Sequence, residues 1–127
     1  MRNILVIVNS YLPSEDSGVI TQEGYKLTIV NRRNTDPGKI NIEDYDIIII
    51  QAGQETKEWQ LYEQIRSFSS LPIIVISSDA TADTCARAID AGADYFLRKP
   101  FGPMELNARI RALLQRKSLK PSAHAIA

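Results

Sequence analysis

Side chains able to do chemistry are sparse in this sequence, and those that stand out do so by ending apolar runs. Tyr45-Asp46-Ile47-Ile48-Ile49-Ile50-Gln51 places a carboxamide directly after four β-branched residues. Such a run, with no polar alternation, describes a strand buried on both faces of a parallel sheet. The carboxyl ends of parallel strands are where these sheets gather their chemistry. Ile73 to Ser77 ends in a hydroxyl with Ser78 beside it, Ile4 to Val8 is closed by Asn9-Ser10, and Tyr95-Phe96-Leu97-Arg98 is followed by Lys99. Amides, hydroxyls and an ammonium can hold an anion or fasten a loop, but they do not form a nucleophile with its base. The single histidine, His124, stands in the tail, so Ser77 and Ser78 read as structural hydroxyls. Cys85 reads as packing or surface rather than redox chemistry. No hydrolase or transferase constellation is present, no cofactor is implied, and the chain is expected not to be an enzyme.

The elements that would position these groups follow from periodicity. Ile4 to Val8 is a second continuous apolar run, and Tyr25 to Val30 alternates in part, as a strand nearer a sheet edge does. Ser17 to Glu23 allows only a weak helix, and residues 31–44, with Asp36-Pro37-Gly38 as a turn, read as a loop with at most a short or distorted helix. Trp59 to Phe68 is predicted helical, with Leu61, Ile65 and Phe68 lining one face and Tyr62 beside them. Leu71-Pro72 opens the strand Ile73 to Ser77, where proline is tolerated at the start. A helix capped by Asp79 or Thr81 should end near Ala91, with Gly92 as its left-handed stop. Pro103 suits the first turn of the last helix, whose buried stripe is Leu106, Ile110, Leu113 and Leu114. Strands alternate with helical or irregular connections throughout, which predicts an α/β fold on a parallel sheet.

At 127 residues with 44% hydrophobic content, one domain is expected, large enough for its own core. Residues 1–116 form that domain, and 117–127 read as a tail or the start of a linker. Fifteen basic and fifteen acidic residues cancel, so direct nucleic-acid contact by this segment is not expected. The lone cysteine suits a reducing compartment, the Met-Arg-Asn opening passes straight into a strand without room for a signal peptide, and no apolar run reaches membrane-spanning length. A cytoplasmic placement is expected.

The segment Ala91-Gly92-Ala93-Asp94-Tyr95-Phe96-Leu97-Arg98-Lys99-Pro100-Phe101 resembles the C-terminal signature of response-regulator receiver domains. Pro72 to Ser78 looks like that family's fourth strand, Ile4 to Val8 like its first and Asp46 to Gln51 like its third. The last helix, from Pro103 to Leu114, is similar to those of regulators that carry a winged-helix output domain. The likeness is specific from Pro72 onward and poor over 13–18 and 31–44. It implies a flavodoxin-like five-stranded sheet of order 2-1-3-4-5 with helices on both faces.

Carried over residue by residue, the resemblance retains the hydroxyl as Ser77 and the ion-pairing lysine as Lys99, and puts Phe96 at the aromatic switch position. It also implies that Gln51 occupies the place of the phosphoaccepting aspartate, and that the metal-binding acids fall on Val8 and Asn9, or on Asn9 and Ser10. An amide is a poor nucleophile and these positions give Mg²⁺ no carboxylate. The expectation is an atypical receiver that works without aspartyl phosphorylation, most simply as the regulatory part of a transcription regulator with a DNA-binding output. Asp94, Tyr95, Glu105, Arg109 and Arg116 fall on the face of the fourth helix, fifth strand and fifth helix through which such regulators pair, so a homodimer is expected there. Tyr95 and Cys85 stand where that face usually carries an acid and a base. The alternative is a small-molecule sensor whose crevice attracts an anion to Lys99, with Ser10, Ser14, Ser17 and Gly18 as nearby donors.

Overall fold

The apolar runs become five strands. A computed structural model of the chain describes residues 2–8, 24–31, 39–51, 58–77, 82–98 and 102–126. Its strands are β1 (Asn3–Val8), β2 (Lys26–Asn31), β3 (Ile47–Gln51), β4 (Ile73–Ser77) and β5 (Tyr95–Arg98). They form one sheet in the order β2-β1-β3-β4-β5, and every neighbouring pair is parallel. Three α-helices lie among the described residues: α1 (Glu58–Phe68), α2 (Ala82–Asp90) and α3 (Pro103–Ile126). The last two are the helices counted fourth and fifth in the family scheme above. A 3-10 turn, Ile42–Asp44, lies before β3, in the stretch where at most a short or distorted helix was expected. The weak helix expected over Ser17 to Glu23 lies outside the described residues.

Period-two alternation divides the sheet's side chains between two cores. Leu5, Ile7, Ile48, Ile50, Ile73 and Val75 pack with Leu61, Tyr62 and Ile65 of α1 and Ala88 of α2. Ile4, Val6, Ile47, Ile49, Ile74, Ile76 and Leu97 pack on the other face with Leu106, Ile110, Leu113 and Leu114 of α3. The central strands are therefore buried on both faces, as their unbroken β-branched runs require, while β2 at the edge leaves Ile29 exposed.

One expectation about the helices needs correction. Phe68 does not join Leu61 and Ile65 in the core; it is 46% exposed. It is the last residue of α1, and Leu71, 8% exposed in the connection that follows, is buried there instead. The final helix runs on through 117–126, the stretch read from the sequence as a tail or the start of a linker. Pro121 within it has no N–H to offer the carbonyl one turn back, so that stretch carries a gap in its hydrogen-bond ladder.

At the amino edge of the sheet, two aspartates play the same part. Asp46, just before β3, donates its N–H to the Asn3 carbonyl at 2.8 Å, and its Oδ2 accepts the Asn3 N–H at 2.8 Å. Asp94, just before β5, donates its N–H to the Ile73 carbonyl at 2.8 Å, and its Oδ2 accepts the Ile73 N–H at 2.8 Å. Each carboxylate thus satisfies the first N–H of the neighbouring strand and aligns two strands at their start.

Candidate functional site

The carboxyl edge of the sheet carries Gln51 at the end of β3 and Ser77 at the end of β4. Gln51 is paired in register with Ile76 on a strand about 4.8 Å away, so Ser77 stands one residue further along that adjacent strand. Ser77 is 3% exposed, whereas Gln51 is half-buried. By alternation, Gln51 belongs with Ile47 and Ile49 on the α3 side of the sheet, while Ser77 belongs with Ile73 and Val75 on the α1 and α2 side. Phe96, opposite Val75 in register, lies on the same side as Ser77 and packs against that core. The structure thus brings the hydroxyl and the aromatic to one face and the amide to the neighbouring strand end. Lys99, Asn9 and Ser10 lie outside the described residues, although Arg98 and Val8 before them end β5 and β1 at this same edge.

A second set of predicted residues gathers where β5 meets α3. The Arg109 guanidinium lies over the Tyr95 ring at 4.3 Å from its centroid, a cation–π contact within one chain. Glu105 precedes Arg109 by one turn of α3 on the same exposed stripe, with Ala108 and Ala112 also exposed. Arg116 continues the stripe along the helix by spacing, and only its backbone is described. On the α2 side of β5, Ile89 is 43% exposed, an apolar residue that the sequence reading passed over.

Asp94, expected on this face, is engaged inside the chain. Its Oδ2 accepts from Arg66 Nη2 at 2.9 Å in addition to the Ile73 N–H. Arg66, in the last turn of α1, uses all its donors: Nε and Nη2 to the Gly92 carbonyl at 3.2 and 2.7 Å, and Nη1 to the Ser69 and Leu71 carbonyls at 3.2 and 2.8 Å. One guanidinium therefore ties together the end of α1, the start of β4 and the turn into β5. Sequence reasoning missed it, because an arginine on the polar side of an amphipathic helix reads as solvated. The signal that was available is the preference of arginine for open carbonyls near a helix C-terminus.

The turn it grips is the one Gly92 was expected to make. Ala93 N–H bonds the Ala88 carbonyl and Gly92 N–H bonds the Ile89 carbonyl, each at 3.0 Å, the paired bonds of a Schellman stop. Gly92 sits at φ +123°, and a Cβ there would lie 3.2 Å from Arg66 Cβ and Cγ. Glycine is needed both for the backbone conformation and for the close approach of Arg66.

Comparison with known proteins agrees with this geometry. The family model described as response regulator receiver domain matches residues 17–111. Transcriptional regulatory protein KdpE of Staphylococcus aureus is 35% identical over 95 residues, covering 74% of this chain and 41% of the relative. Response regulator ArlR of Staphylococcus epidermidis is 32% identical over 119 residues, covering 92% of this chain and 54% of the relative. The chain thus spans about half or less of the curated relatives it matches. Among solved structures, a CheY-like response regulator receiver domain protein from Methanospirillum hungatei aligns with a TM-score of 0.79 at 18% identity, covering 94% of this chain and 99% of that one. A two-component response regulator from Clostridium difficile aligns at 0.75 and 22%, covering 92% and 98%. Both likenesses are of fold.

Proposed function

This chain belongs to the response regulator receiver domain family, and from that membership we propose that it is a receiver-like signalling module controlled without aspartyl phosphorylation. The observation that carries the reading is Gln51 at the carboxyl end of β3. A carboxamide there has no anionic oxygen to attack phosphorus, and acyl phosphate formation has no counterpart on an amide. Val8, Asn9 and Ser10, after or at the end of β1, add no carboxylate for Mg²⁺. Ser77 and Phe96 keep the hydroxyl and aromatic of the pocket, which supports a crevice retained as a contact surface rather than as a catalytic one.

Control then rests on protein partners, on self-association or on abundance. One relative is named as a transcriptional regulatory protein, and the matched segments cover only 41% and 54% of the two relatives, which supports a DNA-binding output that this module governs within the cell. The face formed by α2, β5 and α3, with Tyr95, Glu105, Arg109 and Ile89 on it, is the surface we assign to a homodimer.

Incubation with acetyl phosphate and Mg²⁺, followed by intact mass measurement, tests the reading, with beryllofluoride titration as a second arm. Unmodified protein and no saturable beryllofluoride binding are expected. A phosphoryl adduct would overturn it, and a metabolite or flavin that raises the melting temperature would move the function to ligand sensing in the same crevice.

A further inference from the structure

β2 is the outermost strand on its side of the sheet, and its far side is an open backbone template. The Lys26 N–H donates to the Arg2 carbonyl at 2.9 Å, and the register sets Asn3 beside Lys26 and Val6 beside Ile29. In a parallel ladder, alternate residues turn their N–H and C=O to the same neighbour. Lys26, Thr28 and Val30 therefore bond β1, and Leu27 and Ile29 direct their backbone groups outward. Those outward groups have no hydrogen-bond partner among the described residues. Tyr25 and Leu27 pack on the core beneath α3 and Val30 on the core beneath α1, so the strand is held from both faces. Ile29, 44% exposed, leaves apolar surface at the same edge.

An open edge accepts any extended chain unless bulges or charges forbid it. Here the segment 26–33 carries Lys26, Arg32 and Arg33 and no acid. Lys26 is exposed and makes no ion pair among the described residues. Two such segments side by side repel one another, and the same charges attract an acidic one. We propose that the free edge of β2 receives an extended acidic segment of a partner protein as an added strand. The guest's backbone bonds Leu27 and Ile29, an apolar side chain covers Ile29, and its carboxylates lie toward Lys26. Because β2 is in place before binding, only the guest has to be ordered. This goes beyond the reading above: β2 carries none of the pocket groups, so its test leaves the phosphorylation question untouched.

The probe is a synthetic peptide of about six alternating valines and threonines, the length of a typical strand, flanked at both ends by glutamates and carrying fluorescein. Fluorescence anisotropy on the full chain gives its Kd, and amide hydrogen exchange followed by NMR gives its position. Saturable binding at or below millimolar peptide is expected, with the Leu27 and Ile29 amides passing from fast exchange to protection. Lysines in place of the peptide's glutamates should weaken binding by about tenfold or more. Ile29→Pro removes an outward N–H and no ladder bond, a change that edge strands accept. It should weaken binding by about tenfold or more while circular dichroism stays unchanged. Lys26→Glu, at an exposed position, should weaken the glutamate peptide by about threefold or more and favour the lysine one. Absence of saturation, equal affinity for the two peptides, or binding without protection at Leu27 and Ile29 overturns the proposal. Protection of those amides that rises with protein concentration in the absence of peptide assigns the edge to a second copy, and overturns it as well.

Discussion

Truncating Arg66 to alanine removes one side chain and strips partners from four groups at once. The Gly92, Ser69 and Leu71 carbonyls and the Asp94 carboxylate all lose a donor. Their exposure decides how much this costs. Leu71 is buried at 8%, so its carbonyl is the least able to recruit water and accounts for about 1–1.5 kcal/mol. The two bonds to the Gly92 carbonyl, at a half-buried residue, contribute about 1 kcal/mol together. The ion pair with Asp94 has side chains 29% and 34% exposed, and solvent screening holds its share below about 1 kcal/mol. The sum is about 2–3 kcal/mol, equivalent to a fall of about 8–12 °C in melting temperature for a domain of this size. Urea unfolding followed by circular dichroism measures it directly. The midpoint should fall while the slope stays constant, because the exposed surface on unfolding is unchanged. Arg66→Lys should recover less than half of the loss, since a single ammonium cannot reproduce a planar fork that reaches three carbonyls and a carboxylate. A loss below about 0.5 kcal/mol for the alanine variant, the range of ordinary surface substitutions, would show that water replaces the guanidinium and that it fastens nothing.

Other substitutions test other parts of the structure. Ile65→Ala, at a fully buried position, should destabilise by about 2–5 kcal/mol, whereas Phe68→Ala, three residues on and 46% exposed, should cost under about 1 kcal/mol by the same denaturation assay. Gly92→Ala should cost about 1–3 kcal/mol through its positive φ and its crowding of Arg66, and the loss should shrink when Arg66 is also alanine. Gln51→Asp alone should remain unphosphorylated by acetyl phosphate and Mg²⁺ on intact mass, because Val8, Asn9 and Ser10 still supply no carboxylate for the metal.

Legibility in the sequence followed the kind of force at work. The strands could be read because burial on both faces demands unbroken apolar runs, and Ile47 to Ile50 or Ile73 to Ile76 satisfy little else. The turn at Gly92 could be read because few residues other than glycine take a positive φ. Strand order and the identity of the pocket came from the resemblance around Asp94 to Phe101 and were not present in periodicity. Phe68 was misjudged because a helical repeat marks a face but not how far along the helix that face stays covered, and Phe68 is the last residue of α1. Arg66 was overlooked because most of its partners are backbone carbonyls, which only its place near a helix C-terminus hints at. The same holds for Asp46, which reads as an ordinary polar residue opening a strand and in fact aligns two of them.

The paired aspartates at the amino edge have a consequence for how this sheet tolerates change. Strand alignment is set where β1 meets β3 and where β4 meets β5, at the end of the sheet away from Gln51 and Ser77. Alignment by these two carboxylates does not draw on the Gln51 or Ser77 side chains. An exchange of acid for amide there leaves both amino-edge clamps in place against the slippage that would turn every core side chain outward. A sheet built this way puts the fastening of its shape at one rim and the groups that could do chemistry at the other, so a site reinstalled by design would meet a frame already in register.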